Sequence, residues 1–212
     1  MRWIIVSVVL LVTLSGCAVP TSNTQVSQIL LIDPGHGGFD GGTVAIDGTR
    51  EKDINLAVSL CLRDMLCVCG VPVELTRDTD AATGSNKTED MRERLQMYEH
   101  SSVVIAVHQN HFHQAKYSGA QVFYSANHSD SARLAETMQR SIISRMQPQN
   151  TRSIKAATDG IYLMYHTTVP AILVECGFLS NPEELALLKQ NDYRQCMAWS
   201  ICLGYWEYRI ES

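Results

Sequence analysis

The chain has 212 residues, 45% of them hydrophobic and 18% charged, with a formal net charge of −5. That negative balance excludes a grip on nucleic acid or another anionic polymer through its phosphates, so no nucleic-acid partner is expected. No internal repeat or low-complexity tract divides the chain, and what lies beyond residue 28 suffices for one domain with a full core.

The chain opens Met1-Arg2-Trp3, runs through an apolar stretch over 4–14 and reaches Ser15-Gly16-Cys17. A basic start, a short apolar core and small residues before a break describe an export signal. The stretch is too short for a comfortable membrane span. Leu14-Ser15-Gly16-Cys17 resembles a bacterial lipobox, in which the cysteine is lipidated and becomes the new N-terminus. A plain signal peptide and an uncleaved anchor are the alternatives. Residues 18–28 are small and polar and fit a tether. The expected division is a signal peptide with lipobox over 1–17, a tether over 18–28 and one catalytic domain over 29–210.

Strands and helices then alternate. Ile29-Leu30-Leu31-Ile32 reads as a short buried strand ending in the Gly-rich turn Asp33-Pro34-Gly35-His36-Gly37-Gly38. Ile54, Val58, Cys61, Leu62, Met65 and Leu66 recur at helical steps over 53–69, and Gly70 is placed to end that helix. A strand over 71–75, a loop over 78–87 and a polar helix over 88–100 follow. The buried strand 103–107 ends at His108, and next come a strand at 120–124 and a helix at 131–146. Residues 161–164 are expected as a short strand and 171–175 as another, ending at Glu175. Asn181-Pro182-Glu183-Glu184 is a strong helix start, with a capping residue, a first-turn proline and acids near the dipole's positive end. A last helix covers 192–208. Such alternation implies an α/β domain with helices on both faces of a mostly parallel sheet.

Cysteine occurs seven times. Outside the cytoplasm Cys61, Cys67, Cys69, Cys176, Cys196 and Cys202 could form disulfides. Their place inside apolar patterns favours buried free thiols, and none has the Cys-x-x-Cys spacing of a zinc knuckle.

A turn histidine is ordinarily just solvated; His36 gains meaning from Glu51, His108 and Glu175. Two imidazoles and one carboxylate, His36, Glu51 and His108, suit zinc and leave a fourth position for water, as hydrolytic sites require. Glu175, at a strand's end, is the candidate catalytic carboxylate, able to act as general base and then protonate a leaving amine. The separations are long, so the ligands must meet through the fold. A phosphate-binding reading of 35–42 fails because the Lys-Ser/Thr ending of a P-loop is missing.

At these residues the chain resembles the zinc-dependent N-acetylmuramoyl-L-alanine amidases of the Amidase_3 type. The family's opening motif is matched by Ile32-Asp33-Pro34-Gly35-His36-Gly37-Gly38, and its metal-binding glutamate by Glu51 in Arg50-Glu51-Lys52-Asp53-Ile54-Asn55-Leu56. The family's histidine strand reads Ser-Ile-His-Ala-Asn-Ala, where this chain has Ala106-Val107-His108-Gln109-Asn110-His111. The catalytic glutamate motif is matched by Val174-Glu175-Cys176-Gly177-Phe178-Leu179-Ser180-Asn181. The resemblance implies a six-stranded central sheet, a zinc cofactor, peptidoglycan as substrate and an extracytoplasmic location, at the membrane through a lipid anchor or signal segment, or in the cell wall. Gln109 and His111 depart from the family's small residues beside the metal ligand. The stretch between His108 and Glu175 is short for the helix that blocks the site in regulated cell-division amidases.

Within the family the chain looks most like the germination-specific amidases of spore-formers, through Gly119-Ala120-Gln121-Val122-Phe123-Tyr124 and Leu179-Ser180-Asn181-Pro182-Glu183-Glu184. That likeness implies a role in spore cortex, where peptide removal precedes muramic-δ-lactam formation, and an accessory lipoprotein partner. A vegetative wall-turnover amidase and a non-catalytic wall-binding lipoprotein are the rival expectations. Asp33 is read as fixing the loop or supporting His36, and Arg77 as structural. His111 and His113 are read as flanking the cleft, with His100, His128 and His166 on the surface. Asn110 could orient substrate or hold a turn. Tyr205, Trp206 and Tyr208 are read as core packing.

Overall fold

The computed structural model describes residues 29–211, so the expected signal peptide, the lipobox at Cys17 and the tether lie outside the described residues. Six strands, β1 (Leu30–Pro34), β2 (Val73–Leu75), β3 (Val103–Asn110), β4 (Gln121–Tyr124), β5 (Lys155–Ala156) and β6 (Ala171–Phe178), form one sheet in the order β2-β1-β3-β6-β4-β5. All neighbours are parallel except β4 and β6. The helices are α1 (Glu51–Val68), α2 (Lys87–Glu99), α3 (Ser129–Arg145), α4 (Tyr162–His166), α5 (Pro182–Leu188) and α6 (Asn191–Ile210).

Alternation along the strands divides the interior into two cores. Leu30, Ile32, Ile105, Val107, Ile172 and Val174 face a larger cluster with Ile54, Val58, Leu62 and Leu66 of α1, Leu134 and Met138 of α3, and Ile201 and Tyr205 of α6. Leu31, Val104, Ala106, Ala171 and Leu173 face a smaller one with Tyr98 of α2 and Leu163 and Met164 of α4. The chain therefore leaves β1 through α1 on one face and enters β3 from α2 on the other. β2 lies on one side of β1 and β3 on the other, so the loops diverge at the carboxyl ends of β1 and β3 and open a crevice there.

Most elements fall where the sequence placed them, including the stop at Gly70, whose φ of +77° suits a glycine after a helix, and Asn181, whose side chain accepts from the amides of Glu183 and Glu184. Residues 161–164 are a correction: they are not a strand but the start of α4. Leu163 and Met164 are adjacent yet both buried in the same cluster, which the two-residue alternation of a strand forbids and a helical turn allows. The sixth strand is instead the short, exposed β5. The thiols are a second correction, since Cys67, Cys69 and Cys196 are exposed and only Cys176 and Cys202 are buried. All six described cysteines are free thiols. Tyr205 and Tyr208 are buried and Trp206 packs on the same core. Among the described residues no helix is long and apolar enough to cross a membrane.

Candidate active site

His36 follows β1 in the left-handed region at φ 61°, alone among the described non-glycine residues. That conformation persists only where the surroundings hold it, and here side chains from three elements seize the loop's carbonyls. Arg94 of α2 donates to Pro34 O at 3.1 Å and His36 O at 2.6 Å. Arg77, just after β2, donates to Pro34 O at 2.9 Å and Gly35 O at 3.0 Å. Lys52 of α1 donates to Gly38 O at 2.7 Å. Arg94 is itself anchored by a buried ion pair with Asp33, whose other oxygen accepts from the Tyr98 hydroxyl at 2.5 Å. Burial alone would raise the Asp33 carboxyl, but Arg94 and the Thr76 and Tyr98 hydroxyls hold it below its usual range. Arg77 is thus structural, and Asp33 supports His36 through Arg94.

Glu51 is the first residue of α1, where the helix dipole favours a carboxylate. The loop wraps this end: Glu51 N donates to Thr43 O at 2.9 Å, and Thr43 N donates back to Glu51 Oε2 at 2.9 Å. His108 lies inside β3, two residues short of its end, directly opposite Glu175 of β6. Two glycines make this convergence possible. A Cβ on Gly35 would sit 2.2 Å from the His108 ring, and one on Gly42, already at φ +64°, 2.7 Å from both Glu51 Oε2 and the His36 ring.

The fold therefore brings together what the sequence scattered. His36, Glu51 and His108 each present one ligand atom, all within 4.8 Å of one another, a possible metal site. His36 Nε2 stands 3.2 Å and His108 Nδ1 3.0 Å from the same Glu51 Oε1. Imidazole lone pairs facing a carboxylate repel it unless a proton or a metal cation lies among them. Two nitrogens and one oxygen with an open side fit zinc. Burial would raise the Glu51 carboxyl, yet His108 and His36 hold it far below the usual carboxylate range. The opposite balance governs His36: burial would lower its pKa, but Glu51 and Asp40 raise it. Asp40 Oδ2 lies 3.0 Å from His36 Nδ1, the outer hydrogen bond that orients a ligating imidazole.

Glu175 shares the face of His108. Burial, reinforced by Glu51, pushes its carboxyl up to about 7 against the pull of His108 and His36. Its Oε2 is buried with no hydrogen-bond partner among the described residues. A carboxyl titrating near neutrality can both accept a proton and return it. The cleft has two sides. A polar one is lined by Thr43, Gln109, Asn110, His111 and Glu175. The other is an apolar cavity of about 440 Å³ between α2 and α4, bounded by Met91, Tyr98, Ile161, Leu163 and Leu173. His111 and Asn110 thus border the cleft. His113, His100 and His166 are exposed, and His128 caps α3 by accepting from Asp130 N at 3.2 Å. Sequence reasoning missed Asp40, Asn55, Arg94 and Tyr98, whose contacts with the His36 loop are made across the fold or around the loop. The four-residue steps from His36 to Asp40, from Glu51 to Asn55 and from Asp90 to Arg94 are the local signals that could have hinted at three of them.

Known proteins resemble this chain in sequence and in fold. The sequence model of the family described as N-acetylmuramoyl-L-alanine amidase matches residues 30–205. A germination-specific N-acetylmuramoyl-L-alanine amidase of Bacillus subtilis is 37% identical over 202 residues, covering 91% of this chain and 84% of that protein. Among solved structures, the CwlD amidase of Clostridioides difficile, in complex with the GerS lipoprotein, superposes with a TM-score of 0.83 at 34% identity, covering 87% of this chain and 100% of the other. An N-acetylmuramoyl-L-alanine amidase of Clostridium difficile 630 gives 0.79 at 27% identity, covering 88% and 98%.

Proposed function

The chain belongs to the N-acetylmuramoyl-L-alanine amidase family and is a peptidoglycan amidase, and from that premise we propose that it uses zinc and acts in spore cortex. The observation that carries the metal reading is the convergence of His36, Glu51 and His108, from the loop after β1, α1 and β3, with Glu175 of β6 opposite His108. These three residues would hold zinc, which supplies Lewis acidity toward the amide carbonyl and lowers the pKa of a bound water. Glu175 takes a proton from the attacking water and delivers it to the leaving L-alanine nitrogen. Asp40 keeps the His36 ring turned toward the site, and the arginine clamp keeps its loop from relaxing. The products are a stem peptide with a free N-terminus and a glycan strand with a free muramic carboxyl.

The cortex role is supported by the 37% identity to the germination-specific enzyme. In cortex, removing the peptide leaves the muramic residue that closes to the δ-lactam after deacetylation. An accessory lipoprotein is supported by the similar amidase solved with one. We read 1–17 as a signal peptide with lipobox, 18–28 as a tether and 29–210 as the catalytic domain, a division that supports action outside the cytoplasm.

Mass analysis of peptidoglycan incubated with the zinc-loaded full chain tests the activity. Free L-alanine-initiated peptides and peptide-free glycan are expected, and intact muropeptides would overturn it. Deleting the gene in a spore-former and profiling cortex muropeptides tests the role. Normal muramic-δ-lactam with normal germination would leave only vegetative wall turnover.

A further inference from the structure

We propose that Gln109, acting through Asn55, is the positioning residue that fixes Glu51 for metal binding; this rests on the zinc reading above. Asn55 lies one turn beyond Glu51 on α1 and is wholly buried, and Gln109 is 3% exposed. Asn55 Nδ2 donates to Gly35 O at 3.1 Å and to Glu51 Oε1 at 3.3 Å. Its Oδ1 accepts from Gln109 Nε2 at 3.1 Å.

A carboxamide is nearly symmetric in shape, so packing alone hardly distinguishes its two orientations. The Gly35 carbonyl and the Glu51 carboxylate, both acceptors, favour the orientation seen, and Gln109 locks it from the other side. Flipped, Asn55 would aim its oxygen at the Gly35 carbonyl and the Glu51 carboxylate, and its amide hydrogens at the Gln109 amide. With Gln109 as donor, the Asn55 amide must face both the carboxylate and the loop that carries His36. Gln109 reaches that place because alternation along β3 puts it, like Ile105 and Val107, on the face that packs against α1. Its own Oε1 is buried without a partner among the described residues, so the side chain contributes here through its donor. The motif given above for the family's histidine strand has alanine at this position, which offers no side-chain donor to Asn55.

The test is zinc affinity of the full chain, measured by competition with a chromophoric chelator. The variants are Gln109→Met, Asn55→Leu and both together. Loss of an outer hydrogen-bond partner weakens metal binding by about 10- to 100-fold, and each single variant should fall in that range. The double variant should bind no more weakly than Asn55→Leu, since the Gln109 side chain reaches Glu51 only through Asn55, and its backbone N–H, which donates to Glu51 Oε1 at 3.2 Å, is kept in every variant. Far-UV circular dichroism of the metal-free proteins reports folding. Should Gln109→Met not fold, Gln109→Glu serves in its place, because a carboxylate there accepts where glutamine donates, and the same weakening is expected. Wild-type zinc binding with either folded Gln109 variant within about twofold of it overturns this inference alone, as does an additive double variant. Failure of the wild type to bind zinc overturns the metal reading and this inference with it.

Discussion

Arg94→Met keeps most of the side-chain volume and removes the cation that ties α2 to the site loop. Arg94 and Asp33 are each 1% exposed, so the substitution leaves a buried carboxylate facing only the Thr76 and Tyr98 hydroxyls, at 2.5 Å each. Stripping one partner from a buried pair destabilises by about 3–5 kcal/mol, and the bonds to Pro34 O and His36 O are lost as well. Urea unfolding at pH 7, followed by circular dichroism, should show a deficit of that size. The sign with pH follows from Asp33, whose folded pKa lies below the ordinary aspartate value of 3.8. Its contribution is fully present above the unfolded pKa and is lost as pH falls through the folded one. In the variant a neutral Asp33 costs less to bury, so the gap to wild type should narrow below about pH 4. Asp33→Asn combined with Arg94→Met removes the Asp33 charge and should recover part of the loss, the rest being Asp90, which Arg94 Nε also pairs at 2.9 Å. A deficit under about 1 kcal/mol at pH 7 would refute the clamp, because a buried charge without its partner cannot be that cheap.

Glu175→Gln keeps the shape but cannot shuttle a proton, so amidase turnover should fall by roughly 10²-fold or more while zinc stays bound; near-wild-type turnover removes Glu175 from the mechanism. His36→Ala and His108→Ala should each lose most of the zinc by elemental analysis, because two protein ligands rarely hold it tightly. Gly35→Ala drives a methyl into the His108 ring and should reduce zinc binding about as much as an outer-partner loss, roughly tenfold or more; unchanged affinity would mean the strand end is softer than its packing implies. Cys17→Ser should abolish incorporation of labelled palmitate, and N-terminal sequencing that finds an intact Met1 would overturn the lipobox.

The sheet and its site were legible in the sequence to different depths, for physical reasons. β1, β3 and β6 announce themselves as unbroken apolar runs because both of their faces are buried. α1 shows its helical period because one face is buried and the other is not. α4 misled because five residues are too few to display a period, and a short apolar run suits either state. The three candidate ligands were legible through motif resemblance, while their meeting point was not, since it depends on where β1 and β3 part. The supporting residues were invisible for a related reason. Arg94 sits in a helix with little amphipathic signal, among Arg92, Glu93 and other charged neighbours, and nothing local separates a clamp from a solvated charge.

The clamp on the His36 loop has a consequence for the order in which this molecule matures. Its donors come from α1, from the segment after β2 and from α2, and none can grip until its own element has docked on β1. A nascent or partly opened chain with any one of these undocked can hold its secondary structure and still lack a site. On the zinc reading proposed above, metal binding requires all three elements to be docked, and local unfolding of α2 releases the loop that carries His36. An enzyme that cleaves the cell's own wall is thereby inert until that half is complete.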